Sequence, residues 1–248
     1  MAIYFASDFH LGFDNNLTSR AREYLIISWL NSIAIDATEI YIIGDLFDYW
    51  YEYKEVVPKG HIRLLARIAE FTDSGIPVHL FTGNHDLWMF DYLETELGVI
   101  LYRIPQEIKL QGKKMLIGHG DGLGPGDRGY KVMKKIFTNK FNQWLFARLH
   151  PNFAIGLMKY FSRKSRENDP EELSFLGVDK EWLIQYAERK LKIQYFDYFI
   201  FGHRHLPIEH TLSNDKSRYI NTGDWIHHYT YARMEDGIIS LEKYEFDK

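Results

Sequence analysis

Gly83-Asn84-His85-Asp86 follows the apolar run Val78-His79-Leu80-Phe81-Thr82, so a buried strand gives way there to a short polar loop. The loop presents an amide oxygen, an imidazole and a carboxylate. Similar polar clusters follow apolar runs at four other places: Ser7-Asp8-Phe9-His10, Gly44-Asp45-Leu46-Phe47-Asp48, Gly118-His119-Gly120-Asp121 and Gly202-His203-Arg204-His205. The sequence therefore predicts five strand ends, each followed by side chains with carboxylate, imidazole or amide groups.

The first half of the chain alternates strands and helices. Apolar patterning predicts strands at 2–6, 39–43 and 78–82, with helices at about 18–34 and 61–73 between them. Right-handed crossovers would make these strands parallel and place their carboxyl ends at one edge. Ligands bind at that edge in open α/β sheets. The polar clusters should therefore gather at a single site.

The second half has a different pattern. It predicts a hairpin at 106–117, a long helical region at about 128–192, a strand at 198–201 and antiparallel strands from 208 to 246. Two sheets packed face to face with helices outside would accommodate both halves. We therefore expect an α/β (α+β) fold in one domain, 1–248, because no linker or repeat forces a boundary.

Composition limits the possible classes of protein. The 248 residues are 46% hydrophobic and 26% charged, as in soluble globular proteins, and no cysteine is present. A disulfide or a thiolate metal site is thereby excluded, and a reducing compartment is favoured. We find no signal peptide and no run of 18 apolar residues, so we expect a cytoplasmic location without a membrane span.

Charge is distributed unevenly along the chain. From Arg128 to Arg166 there are ten Lys and Arg residues and no Asp or Glu, so this segment carries a charge of +10. Because the net charge of the chain is −4, the remaining residues together carry −14. Phe, Tyr and Trp residues are interleaved with these cations. Such a segment is either an ordinary helical lid with solvated charges or a surface that meets an anionic partner.

The polar clusters provide seven oxygen or nitrogen donors at strand ends. They are Asp8, His10, Asp45, Asn84, His119, His203 and His205. One octahedral ion cannot use all seven together with water, whereas two ions bridged by a carboxylate can, and Asp45 is the natural bridge. Mixed O and N ligands without sulfur favour Mn²⁺, Fe or Zn over Ca²⁺. Two ions about 3.5–4 Å apart can share a hydroxide nucleophile, which predicts hydrolysis of a phosphoester or phosphoanhydride.

The five motifs resemble the D-x-H, GD, GNH[DE], GH and GHxH pattern of the calcineurin-like metallophosphoesterases. This resemblance implies an αββα sandwich with a dinuclear site. One metal would be held by Asp8, His10, Asp45 and His205, and the other by Asp45, Asn84, His119 and His203. The resemblance also implies that His85 stabilises the transition state or protonates the leaving group, and that Asp86 orients His85.

A narrower resemblance is to the UDP-2,3-diacylglucosamine hydrolases of lipid A synthesis. It rests on Leu11, Tyr49-Trp50 and Gly122-Leu123 beside the metal motifs, and on Asp127 and Gly129-Tyr130. These enzymes release UMP and 2,3-diacylglucosamine 1-phosphate by attack of water on the α-phosphorus, and they carry a helical cap between the fourth and fifth motifs. The matching insertion is about 128–192. The implied substrate contacts are Asn84, His85, Asp127, Tyr130, Ser165, Arg166 and His203.

One departure leaves alternatives open. The lipid A hydrolases usually carry Arg after the metal-binding Asn, whereas this chain has His85, as in the generic phosphoesterases. The alternative activity is a phosphodiesterase or phosphatase acting on soluble nucleotides or other phosphoesters. A binding scaffold without catalysis is a third class, but the presence of all seven donors and His85 argues against it.

The basic, aromatic segment can be interpreted in the light of this resemblance. Its mixture of apolar and cationic side chains suits acyl chains and an anionic bilayer better than nucleic acid. We therefore expect a lipid-linked nucleotide substrate and peripheral attachment to the cytoplasmic face of the inner membrane. The sequence leaves the oligomeric state open.

Overall fold

Two stacked β-sheets lie at the centre of the structure and helices cover their outer faces, as the sequence predicts. The computed structural model describes residues 1–124, 128–168 and 174–246, without the side chains of 128, 163 and 165–168.

The first sheet has six strands in the order β11-β10-β1-β2-β3-β4. The strands β1 to β4 are parallel, while β10 runs antiparallel to β1 and pairs with β11. Its strands are β1 (Ala2–Ala6), β2 (Ala37–Ile43), β3 (Val78–Phe81), β4 (Ile100–Tyr102), β10 (Thr230–Glu235) and β11 (Ile238–Lys243). The parallel arrangement predicted for β1, β2 and β3 is confirmed.

The second sheet has five strands in the order β5-β6-β7-β9-β8. They are β5 (Gln106–Leu110), β6 (Lys113–Gly118), β7 (Tyr198–Phe201), β8 (Pro207–Thr211) and β9 (Arg218–Thr222). The predicted hairpin is β5 and β6. The predicted antiparallel tail is divided between the sheets, because β9 pairs parallel with β7 in this sheet and the chain then crosses to the first sheet for β10 and β11.

Seven helices are present in the described part of the chain. They are α1 (Ser19–Ile33), α2 (Ile62–Asp73), α3 (Tyr92–Leu97), α4 (Arg128–Thr138), α5 (Lys140–Phe146), α6 (Pro151–Asn168) and α7 (Trp182–Leu191). The sequence did not predict the short α3 or β4. Among the described residues, none of these helices combines the length and apolarity needed to cross a bilayer.

The parallel strands are apolar on both faces because each face is buried. In β1, Ile3 and Phe5 pack between the sheets, whereas Tyr4 packs against Trp29 of α1 on the outer face. Successive strand residues alternate between faces, so a strand covered on both sides reads as a continuous apolar run. Each buried side chain of this size contributes about 1.5–3 kcal/mol.

We name α4, α5 and α6 the cap helices. They pack on an aromatic cluster formed by Tyr49, Tyr51 and Trp88. The Tyr51 hydroxyl donates to the Gln143 carbonyl at 2.9 Å, and the indole N–H of Trp88 donates to the Phe137 carbonyl at 2.7 Å. By contrast, α7 packs on the outer face of the second sheet. The boundaries of a cap insertion at 128–192 stay a prediction.

Two helices begin at carboxylates from elsewhere in the chain. The buried Glu23 of α1 accepts hydrogen bonds from the Arg63 and Leu64 amides at 3.1 and 3.3 Å, in the first turn of α2. The residue before α2, His61, provides no side-chain cap. Glu52 likewise accepts from the amides of Phe90, Asp91 and Tyr92 at the start of α3. Both carboxylates satisfy amide groups that a helix leaves without partners.

We predict that Glu23→Ala lowers the free energy of unfolding by about 1–3 kcal/mol, because the substitution leaves two amides near the start of α2 without their acceptor. The measurement is urea denaturation followed by circular dichroism. Glu23→Gln is the matched control, since its amide oxygen can still accept, and it should lose less stability. Equal losses in the two variants would contradict the capping role.

Candidate metal centre

The seven predicted ligands lie together at one edge of the two sheets. They extend from the loops that follow β1, β2, β3, β6 and β7. Possible ligand atoms of Asp8, His10, Asp45 and His205 lie within 4.8 Å of one another, as do those of Asp45, His119 and His203. The seventh, Asn84, places its Oδ1 3.2 Å from His119 Nε2. Asp45 belongs to both groups, which is the position expected of a bridging carboxylate.

Interatomic distances show how Asp45 lies between the two sets of histidines. Its Oδ2 is 3.2 Å from His119 Nε2 on one side and 3.6 Å from His10 Nε2 on the other. Asp8 Oδ1 is 3.2 Å from His205 Nε2 and 3.6 Å from the same His10 nitrogen. The imidazole nitrogens therefore converge on two carboxylate oxygens.

Those two oxygens also test whether the residues fit a metal. Asp8 Oδ1 and Asp45 Oδ2 are buried and accept no hydrogen bond within the described part of the chain. The other oxygens of these residues are engaged, since Asp8 Oδ2 accepts from the His203 amide at 3.0 Å and Asp45 Oδ1 from the His85 amide at 2.9 Å. Burial of a charged oxygen without a partner costs several kcal/mol. A divalent cation with O and N ligands would remove that cost, so the donor set fits one.

The electrostatics of the site also favour a cation. Burial lowers the pKa of His119, but Asp45 and Asp8 oppose it and raise that pKa to about 10. The two carboxylates therefore favour a positive charge at this position. Burial lowers the pKa of His203 to about 4, which keeps its imidazole neutral and able to ligate. A negative field around neutral nitrogen donors is what a divalent ion requires.

Five of the seven candidate ligands adopt a left-handed backbone conformation. Their φ angles are 57° at Asp8, 45° at His10, 52° at Asp45, 65° at His203 and 57° at His205. This region is uncommon for residues other than glycine and costs of order 1–3 kcal/mol each. Hydrogen bonds between neighbouring loops hold it, since the Asp8 amide donates to the Gly44 carbonyl at 3.1 Å and the His10 amide to the Asp45 carbonyl at 2.9 Å.

Two glycines allow these loops to touch. A Cβ atom at Gly83 would overlap the Asp45 carboxylate, and one at Gly202 would lie 2.6 Å from Asp8 Oδ2. Each glycine directly precedes a candidate ligand in the chain. The glycine in these motifs is therefore required by the close approach of a neighbouring carboxylate.

Asp224 is a site residue that the sequence reasoning missed. Its Oδ2 lies 3.4 Å from Nδ1 of His205, and its Oδ1 accepts from the His227 and His228 amides, each at 2.9 Å. Burial raises the pKa of Asp224, but the neighbouring imidazoles of His205 and His228 hold it well below the usual range. A carboxylate on the outer nitrogen of a ligating histidine fixes the ring for metal binding. The signal was weak, because Gly223-Asp224 follows β9, a buried strand whose sequence, Arg218-Tyr219-Ile220-Asn221-Thr222, is only partly apolar.

His85 lies beside the candidate metal ligands and contacts Asp48 and Ser162. Its Nδ1 is 3.2 Å from the Asp48 carbonyl, 3.8 Å from Asp48 Oδ1 and 3.4 Å from the Ser162 hydroxyl. Ser162 of α6 also donates to Asp48 Oδ2 at 3.0 Å. Asp48 therefore connects His85 with a cap helix. Neither Asp48 nor Ser162 was assigned a role from sequence.

The predicted role of Asp86, to orient His85, stays a prediction. The Asp86 carboxylate accepts from the amides of Gly83 at 2.7 Å and Phe47 at 3.3 Å, so it ties two metal-binding loops together. Burial and the nearby Asp45 raise its pKa to about 7. The carboxylate of Asp48 lies beside the His85 ring.

Some of the predicted substrate contacts lie near the candidate metal centre, and the others lie outside the described residues. Asn84, His85 and His203 lie at the metal centre, and the Tyr130 hydroxyl donates to Asp121, two residues beyond His119. Asp127 and the side chains of Ser165 and Arg166 lie outside the described residues. Their assignment as substrate contacts stays a prediction.

Comparison with solved structures shows the same fold. An archaeal phosphodiesterase aligns over 98% of this chain and 99% of its own, with a TM-score of 0.50 and 13% identity. Yfce, a phosphoesterase from E. coli, aligns over 98% of this chain and 93% of its own, with a TM-score of 0.50 and 15% identity. The αββα sandwich is thereby confirmed.

Comparison with sequences gives a more specific result. A UDP-2,3-diacylglucosamine hydrolase of Porphyromonas gingivalis is 38% identical over 98% of this chain and 97% of its own. A protein of the same name from Edwardsiella ictaluri is 28% identical over 98% of this chain and 92% of its own. The family model for calcineurin-like phosphoesterases matches residues 1–207. On the evidence of this match and of the converging ligands, the chain belongs to the calcineurin-like phosphoesterase family.

Proposed function

We propose that this protein is a metal-dependent hydrolase that cleaves UDP-2,3-diacylglucosamine to UMP and 2,3-diacylglucosamine 1-phosphate. The observation that carries the proposal is an apolar cavity of about 540 Å³ that opens onto the metal centre. The names and full-length similarity of the relatives support the same substrate.

The cavity lies between the metal centre and the cap helices. Asn84 and His85 line it beside the candidate ligands, and Met133, Phe137 and Phe161 contribute to its apolar wall. The lining is completed by Asp48, Tyr49, Met158, Ser162 and Lys164. Its volume is within the range of small-molecule sites, which combine apolar walls with a few polar groups. An acyl chain held there would place its sugar phosphate near the candidate ligands.

Two divalent ions would occupy the centre in the proposed mechanism. Asp8, His10, Asp45 and His205 would hold one, and Asp45, Asn84, His119 and His203 would hold the other. When bound, the ions would supply Lewis acidity and a lowered pKa for a water near the phosphorus. We propose Mn²⁺, with Fe or Zn as alternatives, because the donors are oxygen and nitrogen only.

His85 would act on the leaving group. The Asp48 carbonyl can only accept, so a hydrogen bond there requires a proton on Nδ1 of His85. When the His85 ring is protonated on both nitrogens, the proton on Nδ1 is held by the Asp48 carbonyl, so the proton on Nε2 is the one available for transfer. The ring lies both in the wall of the apolar cavity and against the ring of the ligand His10, with 4.8 Å between the ring centroids. This position suits protonation of an oxygen that leaves the phosphorus.

The cap helices would also contact the membrane. Phe137 and Phe146 pack inward, but Phe141, Trp144 and Phe153 are 64%, 50% and 61% exposed. The exposed aromatic residues are accompanied by basic side chains, such as Arg148, which lies over the Trp144 ring. We therefore extend the proposal to peripheral attachment at an anionic membrane on its cytoplasmic face.

A second candidate is a phosphodiesterase or phosphatase for soluble nucleotides or other phosphoesters. His85 favours it, because this residue stands where the lipid A hydrolases usually have Arg. The same metal centre would serve either substrate, so the two proposals differ only in what the cap binds.

Release of UMP from UDP-2,3-diacylglucosamine, with Mn²⁺ and detergent, tests the proposal. Bis-p-nitrophenyl phosphate is the comparison substrate at the same enzyme concentration. Faster turnover of the lipid is the expected result. Fast diester cleavage with slow UMP release would keep the metal centre and favour the second candidate.

We predict that Asp45→Ala loses metal as well as activity, because the carboxylate belongs to both ligand groups. Turnover should fall by at least about 10²-fold, comparable with removal of an essential acid or base. Metal content of the purified variant, measured by plasma mass spectrometry, should fall below that of wild type. Full turnover or unchanged metal content would contradict the bridging assignment.

We predict that His85→Ala retains its metal but turns over substrate about 10²-fold more slowly, because only the proton donor is removed. Single-turnover kinetics and metal content together make the measurement. His210→Ala in β8 is the matched control and should behave as wild type. A His85→Ala enzyme with an unchanged rate would remove its proposed role.

A further inference from the structure

Helix α4 lies between two cavities and presents a different set of side chains to each. Met133 and Phe137 of α4 line the apolar cavity described above. Lys131, Lys134 and Lys135, spaced three and four residues apart, line a second cavity of about 620 Å³ on the other side. Residues at these spacings share a face of a helix. One amphipathic helix therefore gives each cavity a different wall.

The second cavity, which we name the basic cavity, also opens onto the metal centre. His119 and Asp121 line its inner end. Arg103 joins the three lysines, so four cations face one carboxylate among the described lining residues, a balance of +3. A cavity with this surplus attracts an anionic ligand.

Among the described residues, two of the four cations pair with a carboxylate, so a surplus of +2 remains. Lys134 pairs with Asp121, and Lys131 donates to the Gly124 carbonyl at 2.8 Å. Arg103 donates to the Met89 carbonyl at 3.2 Å, and its guanidinium also lies 3.8 Å from the Glu94 carboxylate. Carbonyl groups satisfy hydrogen bonds without neutralising charge. Lys135 is exposed on the same face of α4.

The basic cavity also has an apolar side that could accept a base. Ile104, Pro105 and Leu123 contribute to its lining together with the lysines of α4. A pyrimidine ring can lie against such side chains while its phosphate meets the lysines. The cavity thus provides both contacts that a nucleoside monophosphate needs.

We infer that the basic cavity binds the nucleoside monophosphate half of the substrate, an inference that rests on the proposed function. The acyl-bearing half lies in the apolar cavity across α4. Asn84 and His85 line one cavity beside the candidate ligands, and His119 lines the other. The scissile pyrophosphate then spans the metal centre between them. Helix α4 fixes the direction in which the substrate binds.

Binding of UMP to the Mn²⁺-loaded protein, measured by isothermal titration calorimetry, tests this assignment. Lys135→Glu should weaken UMP binding about tenfold, because it places a negative charge beside an anionic ligand. Its exposed position makes a folding defect unexpected, and circular dichroism checks this. Lys216→Glu is the charge-matched control, since Lys216 is exposed before the first residue of β9, at the opposite end from the metal centre.

Phe161→Ala is the complementary variant, since Phe161 lines the apolar cavity. It should weaken inhibition by 2,3-diacylglucosamine 1-phosphate and change the UMP dissociation constant by less than twofold. The assignment is overturned if Lys135→Glu binds UMP as Lys216→Glu does, or if Phe161→Ala weakens UMP equally. Failure of wild type to release UMP from the lipid substrate would instead overturn the proposed function.

Discussion

Two buried carboxylates, Asp8 and Asp45, constrain the structure around them. Each presents one oxygen to converging histidine nitrogens without a hydrogen bond from the described residues. Such an arrangement is costly in a folded protein unless a cation compensates it. The left-handed backbone at both residues and the glycines at 83 and 202 serve this convergence. A centre of this kind should therefore stabilise the fold when it binds metal.

The sequence predicted the parts of the site that depend on local patterns. The apolar run before Asn84 predicts a buried strand, and a polar group at its end predicts a residue at the edge of the sheet. Other features depend on distant contacts and leave no local signal. The carboxylate beside His85 comes from Asp48 in a different loop, and the left-handed φ of Asp8 arises from pairing with another loop. The division of the tail between two sheets has the same origin, because β8 to β11 have similar patterns.

The cap helices connect the candidate metal centre with the two cavities beside it. Ser162 of α6 donates to Asp48, which in turn lies beside His85. Helix α4 presents apolar side chains to one cavity and lysines to the other. A substrate with an acyl half and a nucleotide half would match both sides. The same metal centre can thus serve different substrates when the cap differs, as expected for folds that host many activities.

The central claim is that Asp45 bridges two metal ions. Anomalous diffraction at the manganese absorption edge, from crystals of the Mn²⁺-loaded protein, tests it most directly. We predict two peaks that share the Asp45 carboxylate, one beside His10 and His205 and the other beside His119 and His203. A single peak, or two peaks that do not share Asp45, would contradict the account.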